Sequence, residues 1–333
     1  MKQQDHYLIT GATGFVGRAV ATGILVGGGI VKAMVRHLPQ DFPIEVELVQ
    51  GDMNDFVGDA SRERYIDSAK TLFWDIGVVI HCAARVHIIK DDSVDPLIEF
   101  RNVNRDATLT LARMAADAGV KRFIFLSSIG VNGNNNTHPF TESDSPNPQE
   151  PYAVSKYEAE EELLALAKTT EMEVVIIRPP LVYGENAPGN FGSLMKWMNK
   201  SIPLPFGAIH NKRSLVALDN LVSFIIHCAD YKKTPQAANQ VFLISDGEDV
   251  STTELLQKVA KAFGKKALLL PIPVSLMTLA SKLLGKGDVA NRLFGSLQVD
   301  SSKARELLGW KPVITMDEQL KKTADAYLAK KKN

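Results

Sequence analysis

Tyr152 and Lys156 stand four residues apart in Tyr152-Ala-Val-Ser-Lys156, inside a stretch with helical patterning. Residues at i and i+4 project from one side of a helix. A free tyrosine has a pKa of about 10 and is a poor base at neutral pH, but a neighbouring ammonium favours the phenolate. The pair is therefore suited to moving a proton to and from a hydroxyl. Upstream, an apolar run ends in Ser127-Ser128, and the Ser128 hydroxyl can donate to a substrate oxygen. Near the start of the chain, Tyr7-Leu-Ile-Thr-Gly11-Ala-Thr-Gly14-Phe-Val-Gly17 carries three glycines spaced G-x-x-G-x-x-G between an apolar run and a helical pattern. The first glycine permits a tight turn, the second lets a pyrophosphate approach the backbone, and the third lets the helix pack on the strand. The free N–H groups of that helix then face the phosphates. Each motif alone is common for structural reasons. In this order they point to hydride transfer at a secondary alcohol, with Lys156 also holding the nicotinamide ribose.

Such chemistry needs a scaffold that brings distant segments to one edge. Val/Ile-rich runs at 7–10, 31–35, 46–51, 78–83, 122–128 and 173–178 alternate with helical patterns near 15–26, 61–73, 96–118 and 151–169. Continuous apolar strands alternating with helices predict an α/β, Rossmann-like, doubly wound parallel sheet. Ligands of such sheets sit at the carboxyl ends of the strands. After Arg178-Pro179-Pro180 the alternation stops. Residues 181–215 read as loop-rich, Val241–Ser245 as one more strand, and the remainder as mostly helical. The expected organisation is a dinucleotide-binding domain over 1–180, with late returning segments near 212–245, and an interleaved substrate lobe over 181–333.

The 333 residues carry 38 basic and 38 acidic side chains, so no nucleic-acid or polyanion surface is expected. Cys82 and Cys228 have no metal-ligand spacing and read as reduced core thiols. No signal-peptide pattern precedes the first strand, and no apolar run is long enough to span a bilayer. A cytoplasmic protein without metal is expected. The apolar stretch from Ile272 to Leu284 reads as a helix over a substrate pocket or core, with contact to a membrane as the alternative.

The chain resembles extended short-chain dehydrogenases/reductases of the NAD-dependent epimerase/dehydratase type (UDP-glucose 4-epimerase-like) over nearly its whole length. The resemblance rests on the Gly11–Gly17 motif, Gly51-Asp52, His81-Cys-Ala-Ala84, Asn104, Leu126-Ser-Ser128, Tyr152-Ala-Val-Ser-Lys156, Arg178-Pro-Pro-Leu-Val-Tyr183-Gly184, the segment from Lys212 to Asn220 and that from Asp300 to Trp310. It implies a catalytic set of Ser128, Tyr152 and Lys156. It implies cofactor contacts from Gly11, Thr13, Gly14, Phe15, Val16, Gly17, Asp52, Met53, Ala83, Ala84 and Asn104, and from Tyr152 and Lys156 themselves. Asn190, Phe191, Arg213 and Arg292 fall where the family holds a nucleotide diphosphate, which arginines grip in bidentate fashion. After the second strand, where NAD-preferring members carry an acidic residue, this chain has Arg36. An arginine there can receive a 2′-phosphate, so NADP is favoured over NAD.

The implied activity is oxidoreduction at C4 of a UDP-hexose or UDP-N-acetylhexosamine, foremost a UDP-sugar 4-epimerase. The alternatives are an NADPH-dependent 4-keto-6-deoxy-sugar reductase and a non-catalytic NAD(P)-binding sensor or scaffold. A dehydratase would need a carboxylate pair beside Ser128, and Ile129-Gly130 supplies none. The resemblance implies a homodimer through helices 96–118 and 151–169; their leucines could all face the sheet, and a second apolar stripe would need another partner.

Overall fold

The computed structural model describes residues 6–39, 41–57, 71–86, 95–283 and 293–330. Seven strands form a parallel sheet: β1 (His6–Thr10), β2 (Ile30–Val35), β3 (Glu47–Gln50), β4 (Val78–His81), β5 (Arg122–Leu126), β6 (Glu173–Arg178) and β9 (Gln240–Leu243). Their order is β3-β2-β1-β4-β5-β6-β9. The chain winds outward one way from β1 through β2 to β3 and then returns to β4 on the other side, so the connections diverge between β1 and β4. That reversal opens a crevice at their carboxyl ends.

Both sheet faces are covered, which is why the strands are apolar throughout. Side chains alternate across the sheet: Ile9, Val175 and Ile177 enter one core with the Phe15–Val26 helix (α1) and the Leu218–Ala229 helix. Leu8, Val174 and Ile176 enter the other, with the Thr108–Asp117 and Pro151–Ala167 helices. At the opposite end of the sheet, Arg122 is fully buried. It pairs with Glu173 at 2.5 Å and donates to the carbonyls of Cys228 and Thr234, tying β5 to β6 and to the helix behind them.

The strand readings hold to within two residues at each end. The region read as loop-rich differs. It contains β7 (Leu181–Tyr183), the Asn190–Asn199 helix and the start of β8 (Arg213–Ala217). Together with β10 (Asp249–Val250) these strands form a small sheet in the order β10-β8-β7. β7 is too short to show periodicity, and its partner lies far along the chain. Around this sheet a third core gathers Tyr183, Phe191, Leu256 and Leu320. The predicted 96–118 helix is interrupted by a π-helical stretch at Asn102–Ala107, a feature that often marks functional sites. The predicted 61–73 helix lies mostly outside the described residues.

Leu109, Leu111, Met114, Leu163, Leu164 and Leu166 all pack on the sheet-side core. The helices are bridged instead by charge, with Arg101 on Glu158 at 2.5 Å and Arg105 on Glu158 at 3.5 Å and on Glu162 at 3.9 Å.

Candidate active site

The glycine motif forms the floor of the crevice. Gly11 has φ +67°, and a Cβ there would lie 2.7 Å from the Ala83 backbone nitrogen. A Cβ on Gly17 would lie 2.3 Å from the Gly11 carbonyl oxygen, so only glycine lets α1 sit this close to the turn. Gly14 caps α1 with no side chain of its own, which leaves the helix N-terminus open. Above this floor lies a cleft of about 400 Å³ walled by Thr13, Arg36, Asp52, Met53, Ala83 and Ala84. An elongated diphosphate fits this construction: two positions admit no side chain, the uncapped N-terminus of α1 begins at Gly14 in the cleft lining, and an exposed guanidinium stands at one end. The Asp52 carboxylate also accepts from Asn54 N–H at 2.9 Å and so fixes its own wall of the cleft. Gly17, Phe15 and Val16 belong to the helix start behind the cleft wall.

Below the cleft, Thr10 Oγ1 lies 2.7 Å from His81 Nδ1, and His81 Nε2 lies 3.0 Å from Thr108 Oγ1. All three residues are buried, and the ring stacks on Phe125 at 5.9 Å. Burial, and then the charge of Lys156, hold this imidazole well below its usual range, hence neutral. The chain of contacts joins β1, β4 and the helix behind them directly under the Gly11 turn.

Tyr152 and Lys156 lie in the first turns of the Pro151–Ala167 helix, with Pro151 at its start, where a missing N–H costs nothing. Lys156 is buried beside the end of β5. Its Nζ donates to the Leu126 carbonyl at 2.9 Å and sits 4.3 Å from the centre of the Phe125 ring. Burial pushes its pKa down to about 8, against the opposing influence of Cys82 and Glu160. Tyr152 is half-buried, with its ring edge-on to Phe100 at 6.1 Å. Withdrawal of its phenol from water pushes the pKa up to about 12. Burial alone sets this direction, and the Lys156 ammonium is engaged by the Leu126 carbonyl and the Phe125 ring. Cys82, read as a core thiol, is half-buried in the cleft wall, and burial raises it to about 12.

Ser128 follows β5, and its Oγ accepts from Gly130 N–H at 3.1 Å, which leaves the hydroxyl proton available. Asn104, from the π-helical stretch, is fully buried. It donates to Ser155 Oγ at 3.1 Å and to the Arg85 carbonyl at 3.0 Å, and accepts from Arg85 N–H at 2.8 Å. It thereby clamps the Tyr152–Lys156 turn to the cleft wall.

Two residues that build the site, Glu160 and Asn132, were not singled out from sequence. Glu160 accepts from the Ser127 hydroxyl and pairs with Arg178 at 2.5 Å, and Arg178 donates to Asn132 Oδ1 at 2.9 Å. All four are buried. Glu160 stands four residues after Lys156, on the same helix face, and that spacing could have identified it.

The residues expected to hold a second diphosphate belong to the other end of the chain. Asn190 opens the Asn190–Asn199 helix after Gly189, whose φ is +68°. Phe191 is only 1% exposed and packs 5.7 Å from Tyr183, so its side chain serves the third core and only its backbone could meet a ligand. Arg213 begins β8 and donates to the Gly295 carbonyl at 3.0 Å, and burial lowers its pKa. Arg292 lies outside the described residues.

Residues 7–244 match the model of the NAD dependent epimerase/dehydratase family. The chain is 47% identical over 332 residues to the UDP-glucose 4-epimerase of Vibrio cholerae, spanning 98% of this chain and 97% of that one. Its fold is similar to that of UDP-glucose 4-epimerase from Thermotoga maritima, solved with UDP-glucose, at a TM-score of 0.74 and 23% identity over 98% of this chain and 99% of that one. It is also similar to UDP-glucuronic acid 4-epimerase from Bacillus cereus in complex with NAD, at a TM-score of 0.75 and 21% identity over 97% and 99% of the two chains. With its glycine turn, its Tyr152–Lys156 helix and its matched length, this chain belongs to the NAD-dependent epimerase/dehydratase family.

Proposed function

We propose that the protein is a UDP-sugar 4-epimerase that inverts C4 of UDP-glucose or a related UDP-hexose. The observation that carries this reading is the nearly end-to-end 47% identity to a UDP-glucose 4-epimerase, joined to a Tyr–Lys pair beside a dinucleotide-shaped cleft. A bound nicotinamide would supply the hydride acceptor. Tyr152 would take the proton of the C4 hydroxyl and return it after the sugar has turned its other face. Ser128 would hold the C4 oxygen by donating its hydroxyl proton. Lys156, with a pKa of about 8, would keep positive charge beside the phenol at neutral pH and so favour its ionised form. Water leaves the site as substrate enters, which strengthens these interactions.

The cofactor set in this reading is Gly11, Thr13, Gly14, Phe15, Val16, Gly17, Arg36, Asp52, Met53, Ala83 and Ala84, with Asn104 acting through Ser155 and Arg85. The exposed Arg36 guanidinium after β2 supports a preference for NADP over NAD. Residues 1–180, with the returning strand β9, would form the cofactor domain, and 181–333 the substrate lobe. Asn190, the Phe191 backbone, Arg213 and Arg292 would meet the UDP diphosphate. A cytoplasmic location is supported by two unpaired thiols, Cys82 and Cys228. A homodimer through the two helices is supported by Ile98, which is exposed on the first of them.

The test is incubation of purified protein with UDP-glucose and a catalytic amount of NAD or NADP. Formation of UDP-galactose without net change in reduced cofactor is the expected result. Stoichiometric consumption of NADPH on a 4-keto-sugar, with no epimerisation, would replace this reading with the reductase.

A further inference from the structure

The apolar stretch after residue 267 meets the third core and a pocket on one side, where Leu269 and Thr278 lie, and leaves a row of leucines exposed on the other. In the extended segment 268–270 the side chains alternate: Leu269 packs on the third core, whereas Leu268 and Leu270 are 49% and 53% exposed. On the helix Val274–Leu283, Leu276 and Leu279 are each 57% exposed and Leu283 is 81% exposed. Their spacing of three and four residues sets them on one helix face. The segment is joined to a second one. Leu204 N–H donates to Leu268 O, Leu270 N–H donates to Leu204 O, and Lys265 Nζ donates to the Asn199 carbonyl. That second segment presents Trp197 at 37% exposure.

Charge distinguishes this surface from the rest of a neutral protein. Residues 190–204 and 264–283 contain no Asp or Glu, although the whole chain has as many acidic as basic residues. Lys196, Lys200, Lys265 and Lys266 are all exposed. Exposed leucines and a tryptophan in segments that also carry exposed lysines and no acidic residue match the chemistry of a bilayer interface. The apolar side chains enter the headgroup boundary, and the ammonium groups meet lipid phosphates. A second copy of the chain would bring lysines against lysines, which disfavours that occupant.

We infer that the surface built by residues 190–204 and 264–283 docks the protein on an anionic phospholipid bilayer. The protein then lies on the membrane without crossing it, since among the described residues no helix is long and apolar enough to span one. This inference is independent of the sugar on which the enzyme acts.

The test is co-sedimentation of the full chain with vesicles of phosphatidylethanolamine and phosphatidylglycerol, and in parallel with vesicles of phosphatidylcholine alone. Binding to the anionic vesicles, weakened by salt, is expected. Leu276→Ser combined with Leu279→Ser should lower the partition roughly 10–100-fold, since each leucine contributes apolar area to the interface. Lys196→Glu combined with Lys266→Glu should lower it about tenfold or more. Both variants alter exposed positions, so each should keep the parent melting temperature and cofactor affinity. Absence of binding to anionic vesicles overturns the inference, as does equal binding to both vesicle types without salt dependence. Light scattering that shows an oligomer dissociated by the leucine variant would assign the surface to a second copy and overturn it as well.

Discussion

Replacing Glu160 by glutamine removes one charge and almost no volume. The Glu160 carboxylate is 2% exposed and accepts from Ser127 Oγ, from Arg178 Nε at 3.1 Å and from Arg178 Nη2 at 2.5 Å. A glutamine offers one acceptor oxygen, and the buried guanidinium of Arg178 loses its counter-charge. Breaking a buried pair from one side costs about 3–5 kcal/mol. With an unfolding entropy of about 2.1 cal/mol/K per residue, a 333-residue chain loses about 1.4 °C per kcal/mol, so the melting temperature should fall by ~4–7 °C. A second effect reaches Lys156, because Glu160 is one of two groups opposing the depression of its pKa to about 8. Without Glu160 the ammonium releases its proton at lower pH, so the alkaline edge of the pH–rate profile should move toward neutrality. Thermal melts and initial rates with UDP-glucose across the neutral to alkaline range measure both effects. The double variant Glu160→Gln with Arg178→Met separates them. It removes the stranded guanidinium and should regain stability, while the alkaline edge stays displaced. An unchanged melting temperature in Glu160→Gln, or an alkaline edge that returns to its original position in the double variant, would refute the reasoning.

Tyr152→Phe should lower the epimerisation rate by about 10²–10⁴-fold while leaving cofactor affinity nearly intact, and turnover equal to the parent enzyme would falsify the acid/base assignment. Arg36→Asp should shift preference from NADP toward NAD, read by titrating both cofactors, and an unchanged ratio makes Arg36 a bystander. Gly17→Ala should displace α1 from the Gly11 carbonyl, because its Cβ would arrive at 2.3 Å. A loss of about 1–3 kcal/mol of stability is expected from the overpacking, together with weakened cofactor binding, and a titration matching the parent protein rules this out. His81 is buried neutral with its pKa held below the free value. Its contribution to stability is therefore complete above about pH 6.5 and is lost as pH falls through the folded value. Melting temperatures measured down the acid range should drop for the parent protein and stay flatter for His81→Gln, and parallel curves exclude His81 as the cause.

What the sequence by itself determined is local. Period-two burial on both sheet faces makes each strand apolar throughout, so the parallel sheet was legible in runs such as Glu173–Arg178. Gly11 and Gly17 are restricted by backbone sterics within a few residues of themselves, and Tyr152 and Lys156 by helical spacing. What only the tertiary structure decided depends on segments far apart in the chain. Thr10 meets His81 across 71 positions, Ser127 meets Glu160 across 33, and β7 finds β8 some thirty residues later. No short-range pattern encodes such meetings. The same holds for the protonation of Tyr152. Its neighbour Lys156 is visible in the sequence, but the burial that raises the phenol comes from chain folded over it. The direction of the leucines at 268–283 was likewise undecided by composition, since an apolar helix reads alike whether it faces a core or the solvent. At 268–270 the orientation follows from Leu204 holding the segment at the edge of the third core, with Leu269 turned inward and its neighbours turned out.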